Sequence, residues 1–490
     1  MNEKALLRKI DLRIIPYVAF LYMLSFLDRV NIGNVHLLLK QELGLTESQY
    51  AICVGIFFVG YVLFELPSNL MMKRATPPVW IARILFSWGL ISTLMAFCFT
   101  FEAIATARFF LGVAEAGFFP GIVYYLAFWY PPQERAFRIG LFYCTAALAG
   151  AFSGFLAYAI LKDMDGIAGL QNWQWLFIIE GLPSILFSFV TWFYLPDFPA
   201  KASFLTEEER AFVIQRVKQQ HPQIVEEFVE MGLVNLDDMG SSATLNEDGA
   251  VQGSPEPSNG WRQKAQQLFD VDALKKVLTS PIVWFFAFLY LALVIPFYSS
   301  VFFLPSFISQ LGLSIIMSNL LTVPIYVLAT ISTLAVAWSS DRCHERIIHL
   351  TVCSFLSAFG FLGLTFWGHQ SPPPSQPFQE TAVWLAYCSS GLAVVSIFPT
   401  ISCCLSWLTE TMNRKSVDCD DEHKHMTTMA GATAIVVATG NIGGFVGPLI
   451  YSSTFNPEHG GYKTANAIMC GLLFAVCAGM AGTSKRKLSF

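Results

Sequence analysis

Long runs of apolar residues, separated by short polar stretches, recur along the whole chain. A hydrocarbon core about 30 Å thick takes roughly 20 helical residues to cross. Twelve runs reach that length, at about 14–39, 49–70, 79–99, 104–129, 139–160, 173–195, 281–304, 315–338, 349–367, 381–407, 429–452 and 464–483. They are numbered here spans 1 to 12. Backbone N–H and C=O groups in lipid must find partners within their own segment, so every span is predicted to be helical. The expected fold is an all-α membrane protein, with 12 transmembrane helices in two pseudo-symmetric six-helix bundles.

A single long polar stretch lies between spans 6 and 7. It divides the chain into an N-terminal bundle (1–195), a cytoplasmic linker (196–280) and a C-terminal bundle (281–490). Pro196-Asp197-Phe198-Pro199 ends span 6, because proline cannot continue a helix. Thr206 and Glu209 have the spacing of a capping box, which predicts a short surface helix. Residues 241–260, rich in Ser, Gly and Pro, are expected to be disordered. Residues 261–279 have the pattern of an amphipathic helix at the membrane surface.

Composition removes the soluble alternative. Hydrophobic residues make up 54% and charged residues 13%, and the charged share is about half that of a soluble protein. The net charge of −5 is local, since 197–280 holds 14 acidic and 8 basic residues and leaves the remainder close to neutral. There is no basic face for nucleic acid. The 11 cysteines form no CxxC pair and no zinc spacing with histidine, so neither a metal nor a cofactor is expected. The first apolar run is long and lacks a small-residue cleavage site, so no cleavable leader is expected.

Lys and Arg set the orientation. With the N-terminus inside, the cytoplasmic flanks carry 17 of them and the outer flanks three, Lys40, Lys162 and Lys463. Both termini are therefore expected in the cytoplasm, with the plasma membrane as the expected location. Spans 4 and 10 also resemble each other. Gly112, Ala114, Phe119, Pro120, Ile122 and Leu126 match Gly391, Ala393, Phe398, Pro399, Ile401 and Leu405 at a fixed offset of 279. Internal repeats with a site between them are a transporter architecture.

Ionisable groups within membrane helices are costly and mark pathways or binding sites. Here they are Asp28, Arg29, Glu65, Arg108, Glu115 and Glu180, all in the first six spans. Arg108 and Glu115 lie two helical turns apart on one face, with Gly112 between them leaving room for a ligand. A guanidinium keeps its proton and can hold a carboxylate by two parallel hydrogen bonds, whereas a glutamate can gain or lose one. Arg108 and Arg29 are therefore substrate-binding candidates, and Glu115 and Asp28 are proton-coupling candidates. A structural pairing of the same charges is the competing reading. Asp28 and Arg29 point about 100° apart and so face different neighbours. Two cations among four acids cannot all be ionised in a dry bundle, which hints at proton coupling. Glu65, Glu180 and His36 are read as structural, Tyr298 is a third substrate-binding candidate, and Tyr143, Tyr290 and Asn319 are read with it as pocket residues.

Several stretches carry a resemblance to a known family. They are Leu27-Asp28-Arg29-Val30-Asn31-Ile32-Gly33-Asn34, the Glu65 to Asn69 segment, the Arg108 to Pro120 segment, and Trp175 to Gly181. Phe303-Leu304-Pro305, Ser340-Asp341-Arg342 and Gly440-Asn441 complete the set. The chain resembles the anion:cation symporter branch of the major facilitator superfamily, in its fungal allantoate/nicotinate permease-like form. That resemblance implies proton-driven uptake of a small organic anion, a carboxylate or vitamin, by alternating access. It also implies roles for Asp28, Arg29, Arg108 and Glu115. The chain departs from the family in the loop after span 2, reduced to Asn69 through Arg74, and in the loop from Thr409 to His425. The charged run from Asp420 to His425 is read as solvated rather than metal-binding. The expected partners are a small organic anion, protons and the bilayer, and the expected state is a monomer. An exporter of an organic acid or secondary metabolite and a non-transporting sensor are the alternatives. An enzyme is not expected, because no nucleophile–base set lies at membrane depth.

Overall fold

A computed structural model describes residues 3–72, 75–130, 132–220, 277–343, 345–368, 380–416, 422–456 and 461–485. These residues are helical apart from loops and one isolated bridge between Asn456 and Gly461. Twelve helices are long and apolar enough to cross a membrane. They are Glu3–Asn34, Glu47–Glu65, Pro77–Phe97, Phe101–Ala127, Cys144–Asp163, Asn172–Tyr194, Pro281–Ser309, Ile315–Cys343, Ile347–Trp367, Thr381–Met412, Gly431–Thr454 and Lys463–Met480. They correspond in order to spans 1 to 12, and the chain is a multi-pass membrane protein. The face that holds Glu3 and Tyr194 is called terminal, and the face that holds the loops after Asn34 and Ser309 is called distal.

Span 1 begins well before its apolar run. The reason is tertiary packing, since Leu6, Ile10 and Ile14 are buried while Arg8 and Lys9 are exposed. Polar contacts fix this extension. Arg138 donates to both carboxylate oxygens of Asp11 at 2.6 and 2.8 Å, and Lys9 pairs with Glu209 at 2.7 Å. Glu209 belongs to the surface helix Glu207–Gln220. The expected capping box is present there: the Thr206 N–H donates to Glu209 Oε2 at 2.9 Å and the Glu209 N–H to Thr206 Oγ1 at 3.3 Å. The expected disordered stretch 241–260 and most of the surface helix 261–279 lie outside the described residues, as does the start of the Asp420 to His425 run.

Side-by-side packing of the spans brings distant segments together. Span 1 packs on spans 5 and 6, span 2 on span 4, span 3 on span 6, and span 5 on span 8. Span 4 is not one continuous helix. Helix Phe101–Glu115 ends at Ala116, whose ψ is 132°, and helix Phe118–Ala127 starts after Gly117 at φ 83°. Span 11 is likewise interrupted, between Glu422–Asn441 and Gly443–Thr454. Breaks at membrane depth are tolerated where the backbone is covered by protein.

The break in span 4 depends on Gly117. Its φ lies in the left-handed region, where any other L-residue is strained by roughly 1–2 kcal/mol, and a Cβ there would lie 2.5 Å from Ser68 Cβ. Gly117→Ala is expected to lower the melting temperature of the detergent-purified protein. An unchanged melting curve would contradict this backbone geometry.

Candidate functional site

Arg29 lies near the middle of span 1 and is 7% exposed. Its guanidinium reaches two other elements. One amino group donates to Glu115 Oε1 of span 4 in a direct ion pair. The other donates to the Tyr298 hydroxyl of span 7 at 3.0 Å. Ser25, one turn earlier on span 1, donates to the same Glu115 oxygen. Phe57 and Tyr61 of span 2 place their rings 5.2 and 5.3 Å from the guanidinium carbon. This cluster sits where the first six spans meet span 7, so two substrate candidates and one proton candidate share a single site.

Glu115 reaches Arg29 because it is the last residue of its helix. The chain turns away at Ala116–Gly117, so the carboxyl occupies the end of a broken helix rather than the side of a continuous one.

Asp28 takes a separate position. It is 1% exposed and faces spans 3 and 6 rather than Arg29. Ser92 Oγ and Ser184 Oγ donate to it at 2.5 and 2.8 Å, and Trp88 Nε1 donates at 3.1 Å. Three neutral donors thus replace water around this carboxyl, and no cation among the described residues pairs with it. Sequence reasoning missed Trp88, Ser92 and Ser184. The available signal was weak: Trp88 and Ser92 are one turn apart, and Ser184 is one turn from Glu180.

Arg108 is fully buried. Its Nε donates to the Cys53 carbonyl at 3.3 Å, while neither terminal amino group has a hydrogen-bond partner. Phe57 covers it at 5.0 Å. Arg108 and Glu115 share a face, as their spacing requires, yet they do not pair. The expected space at Gly112 is absent, because a Cβ there would fall 2.0 Å from the Phe57 carbonyl oxygen and 3.0 Å from the Tyr61 nitrogen. Gly112 admits the backbone of span 2, not a ligand. Asn319 is also corrected: it donates to the Asn34 carbonyl at 3.2 Å on the distal side. His36 Nδ1 shares a hydrogen bond of 2.7 Å with Ser306 and stacks on Tyr50. Together these contacts join the first six spans to spans 7 and 8 at the distal face. Tyr290 is buried beside Gly440, and the Tyr143 side chain lies outside the described residues.

The twelve candidate spans among the described residues agree with the family comparison. Residues 18–417 match the model of the Major Facilitator Superfamily. The chain belongs to that superfamily. A superfamily member from Agrobacterium vitis named for tartrate transport is 33% identical, covering 91% of this chain and 84% of its own. A quinolone resistance transporter of Acinetobacter baumannii is 30% identical, covering 96% of this chain and 94% of its own. Among solved structures, the E. coli xylose transporter XylE in a partially occluded inward open conformation superposes with a TM-score of 0.62. It is 14% identical, with 96% of this chain and 97% of that one covered, and shows the shared fold. As a superfamily member the protein is a transporter with a small-molecule substrate.

The Asp28 cradle gives a stability test. Each buried hydrogen bond to a charged group contributes about 1.5–3 kcal/mol, so Ser92→Ala with Ser184→Ala is expected to destabilise the protein strongly. In an Asp28→Asn background the same pair of changes is expected to cost less. Equal losses in both backgrounds, measured by chemical denaturation, would show that the serines do not support a charge.

Proposed function

We propose that the protein is a proton-coupled symporter of a small organic anion, in the anion:cation symporter branch, working by alternating access between bundles 1–195 and 281–490. The observation that carries this reading is the Arg29–Glu115 pair, which touches Tyr298 of span 7 and so lies at the junction of the two bundles. A cargo carboxylate and Glu115 both require the Arg29 guanidinium. A proton on Glu115 weakens its hold and frees Arg29 for the bidentate geometry that guanidinium offers a carboxylate. Proton and cargo then enter together. Arg108, with two amino groups lacking partners, supplies a second fixed positive charge. A dicarboxylate would satisfy both cations, and the tartrate name of the A. vitis relative supports that class.

Asp28 serves in this reading as a second proton carrier, on the side of span 1 that faces spans 3 and 6 rather than the cargo. Tyr298 orients Arg29 and marks the far wall of the site. The proposed orientation puts the terminal face in the cytoplasm and the distal face outside the plasma membrane, as the Lys and Arg asymmetry suggests. The protein acts as a monomer. Export by the same site is the second reading, favoured by the quinolone resistance relative.

Proteoliposomes with an imposed pH gradient and labelled tartrate, nicotinate and related carboxylates test the proposal. Each arginine is a fixed positive charge that can hold a carboxylate through charge-assisted hydrogen bonds, so Arg29→Ala and Arg108→Ala are expected to abolish cargo binding. Arg29→Lys is expected to fall far short of rescue, because an ammonium cannot reproduce the planar fork. Glu115→Gln is expected to exchange cargo across the membrane without accumulating it. Full gradient-driven accumulation by Glu115→Gln would remove Glu115 from the coupling mechanism, and wild-type accumulation only under an outward-directed proton gradient would favour export by proton antiport.

A further inference from the structure

We infer that Glu180 of span 6 is a further proton-binding carboxyl, tied through Ser153 and Asn34 to the contacts that close the distal face. The inference rests on the proton-symport reading and adds a residue that the Arg29–Glu115 pair does not require.

Glu180 is 2% exposed. Ser153 Oγ of span 5 donates to its Oε1 at 3.0 Å, and its Oε2 has no hydrogen-bond partner. Asn34 Nδ2 of span 1 donates to Ser153 at 2.6 Å. The backbone carbonyl of the same Asn34 accepts from Asn319 of span 8. Two hydrogen bonds thus lead from the carboxyl to Asn34, and the backbone of that same residue makes the contact between the first six spans and span 8.

The surroundings of Glu180 are acidic or neutral on every side. Span 1 presents Asp28 and Asn31, and span 5 presents Ser153. Span 3 approaches span 6 through Gly89 and Thr93, which meet Gly181. Among the described residues no cation faces the carboxyl, since Arg29 is turned to Glu115 and Tyr298 and Arg108 to Cys53. An unpaired carboxylate taken out of water carries a penalty of several kcal/mol. With the distal face closed, Glu180 therefore holds a proton. The Asn31 amide, whose nitrogen and oxygen both lack partners in ordinary hydrogen-bond geometry, offers an acceptor for that proton's O–H.

Opening the distal face has to separate span 1 from span 8, and this breaks the Asn319–Asn34 bond. The path then leads from distal water through Asn34 and Ser153 to the carboxyl, which is free to release or take up its proton. Glu180 and Ser184 lie one turn apart on span 6, and Ser184 donates to Asp28. The two carboxyls therefore share one helix face, with Glu180 nearer the distal side.

Two measurements test the assignment. Infrared spectra of the purified full-length protein are expected to show a protonated-carboxyl band near neutral pH that Glu180→Gln loses and Glu180→Asp retains. In proteoliposomes, each proton required for transport makes the rate fall about tenfold per pH unit above its midpoint. Glu180→Gln is expected to lower the slope of log rate against distal pH by about one for any carboxylate the wild type carries. If Glu180→Gln fails to fold, Asn34→Ala breaks the path without touching the carboxyl, and is expected to shift the pH at which the band disappears. An identical band in Glu180→Gln and wild type, or an unshifted band in Asn34→Ala, would overturn the inference. A wild type that accumulates nothing under a pH gradient would end the symport reading, while the infrared result would still decide the state of Glu180.

Discussion

A guanidinium does not give up its proton, so a chain that places Arg29 in the middle of a membrane helix must bring acceptors to it. Much of the site's geometry follows from that demand. Glu115 can meet Arg29 because span 4 stops being helical directly after it. The stop requires a left-handed residue, and Gly117 provides it beside Ser68. Spans 2 and 4 approach backbone to backbone at Gly112 and Phe57, which sets the rings of Phe57 and Tyr61 around the same guanidinium. Tyr298 takes the other amino group from across the bundle junction, which leaves the buried Nε without a partner among the described residues. The result is a charge neutralised by one carboxylate and within reach of both sets of spans.

The other two charged candidates are solved in opposite ways. Asp28 is supplied with three neutral donors and no cation. Arg108 has one backbone acceptor and no anion. Buried polar groups without partners are expensive, so the donors left open on Arg108 are the groups in this site with the most to gain from an arriving anion. The proposal of a negatively charged cargo therefore draws on the distribution of unmet hydrogen bonds as well as on the relatives.

The span pattern was readable from sequence because lipid imposes it segment by segment, with no need for tertiary information. The capping box at Thr206 and Glu209 was readable for the same reason, being local. Partnerships across spans were not. Trp88, Ser92 and Ser184 are ordinary residues in apolar runs, and only the packing of span 1 against spans 3 and 6 turns them into donors for Asp28. Gly112 was misjudged because a missing side chain looks alike whether a ligand or a neighbouring backbone fills the gap. Asn319, grouped with the pocket by its polarity, serves the distal closure. The break after Glu115 had a visible cue in Gly117 and Pro120, but helical periodicity alone does not tell a break from a tolerated kink.

The placement of charge bears on how the two sets of spans can move. The apolar cores of spans 7 to 12 hold no Asp, Glu, Lys or Arg. The hydrogen bonds described between the sets involve a tyrosine hydroxyl, a serine hydroxyl and an asparagine amide on the span 7 and 8 side. The two neutral bonds contribute only about 0.5–1.5 kcal/mol each and the one from the Arg29 guanidinium to Tyr298 about 1.5–3 kcal/mol, and each can be exchanged for one with water when a face opens. The Arg29–Glu115 pair, worth several times more if one partner were removed, lies wholly within the first six spans and is not strained by rocking one set against the other. Motion between the sets therefore meets small barriers and leaves the charges as they are. In the proposed mechanism, what changes the charges is chemistry at the pair itself, a proton on Glu115 or a carboxylate on Arg29. Keeping the inexpensive contacts between the sets apart from the strong pair within one of them leaves the balance between conformations to whatever binds the two arrangements differently.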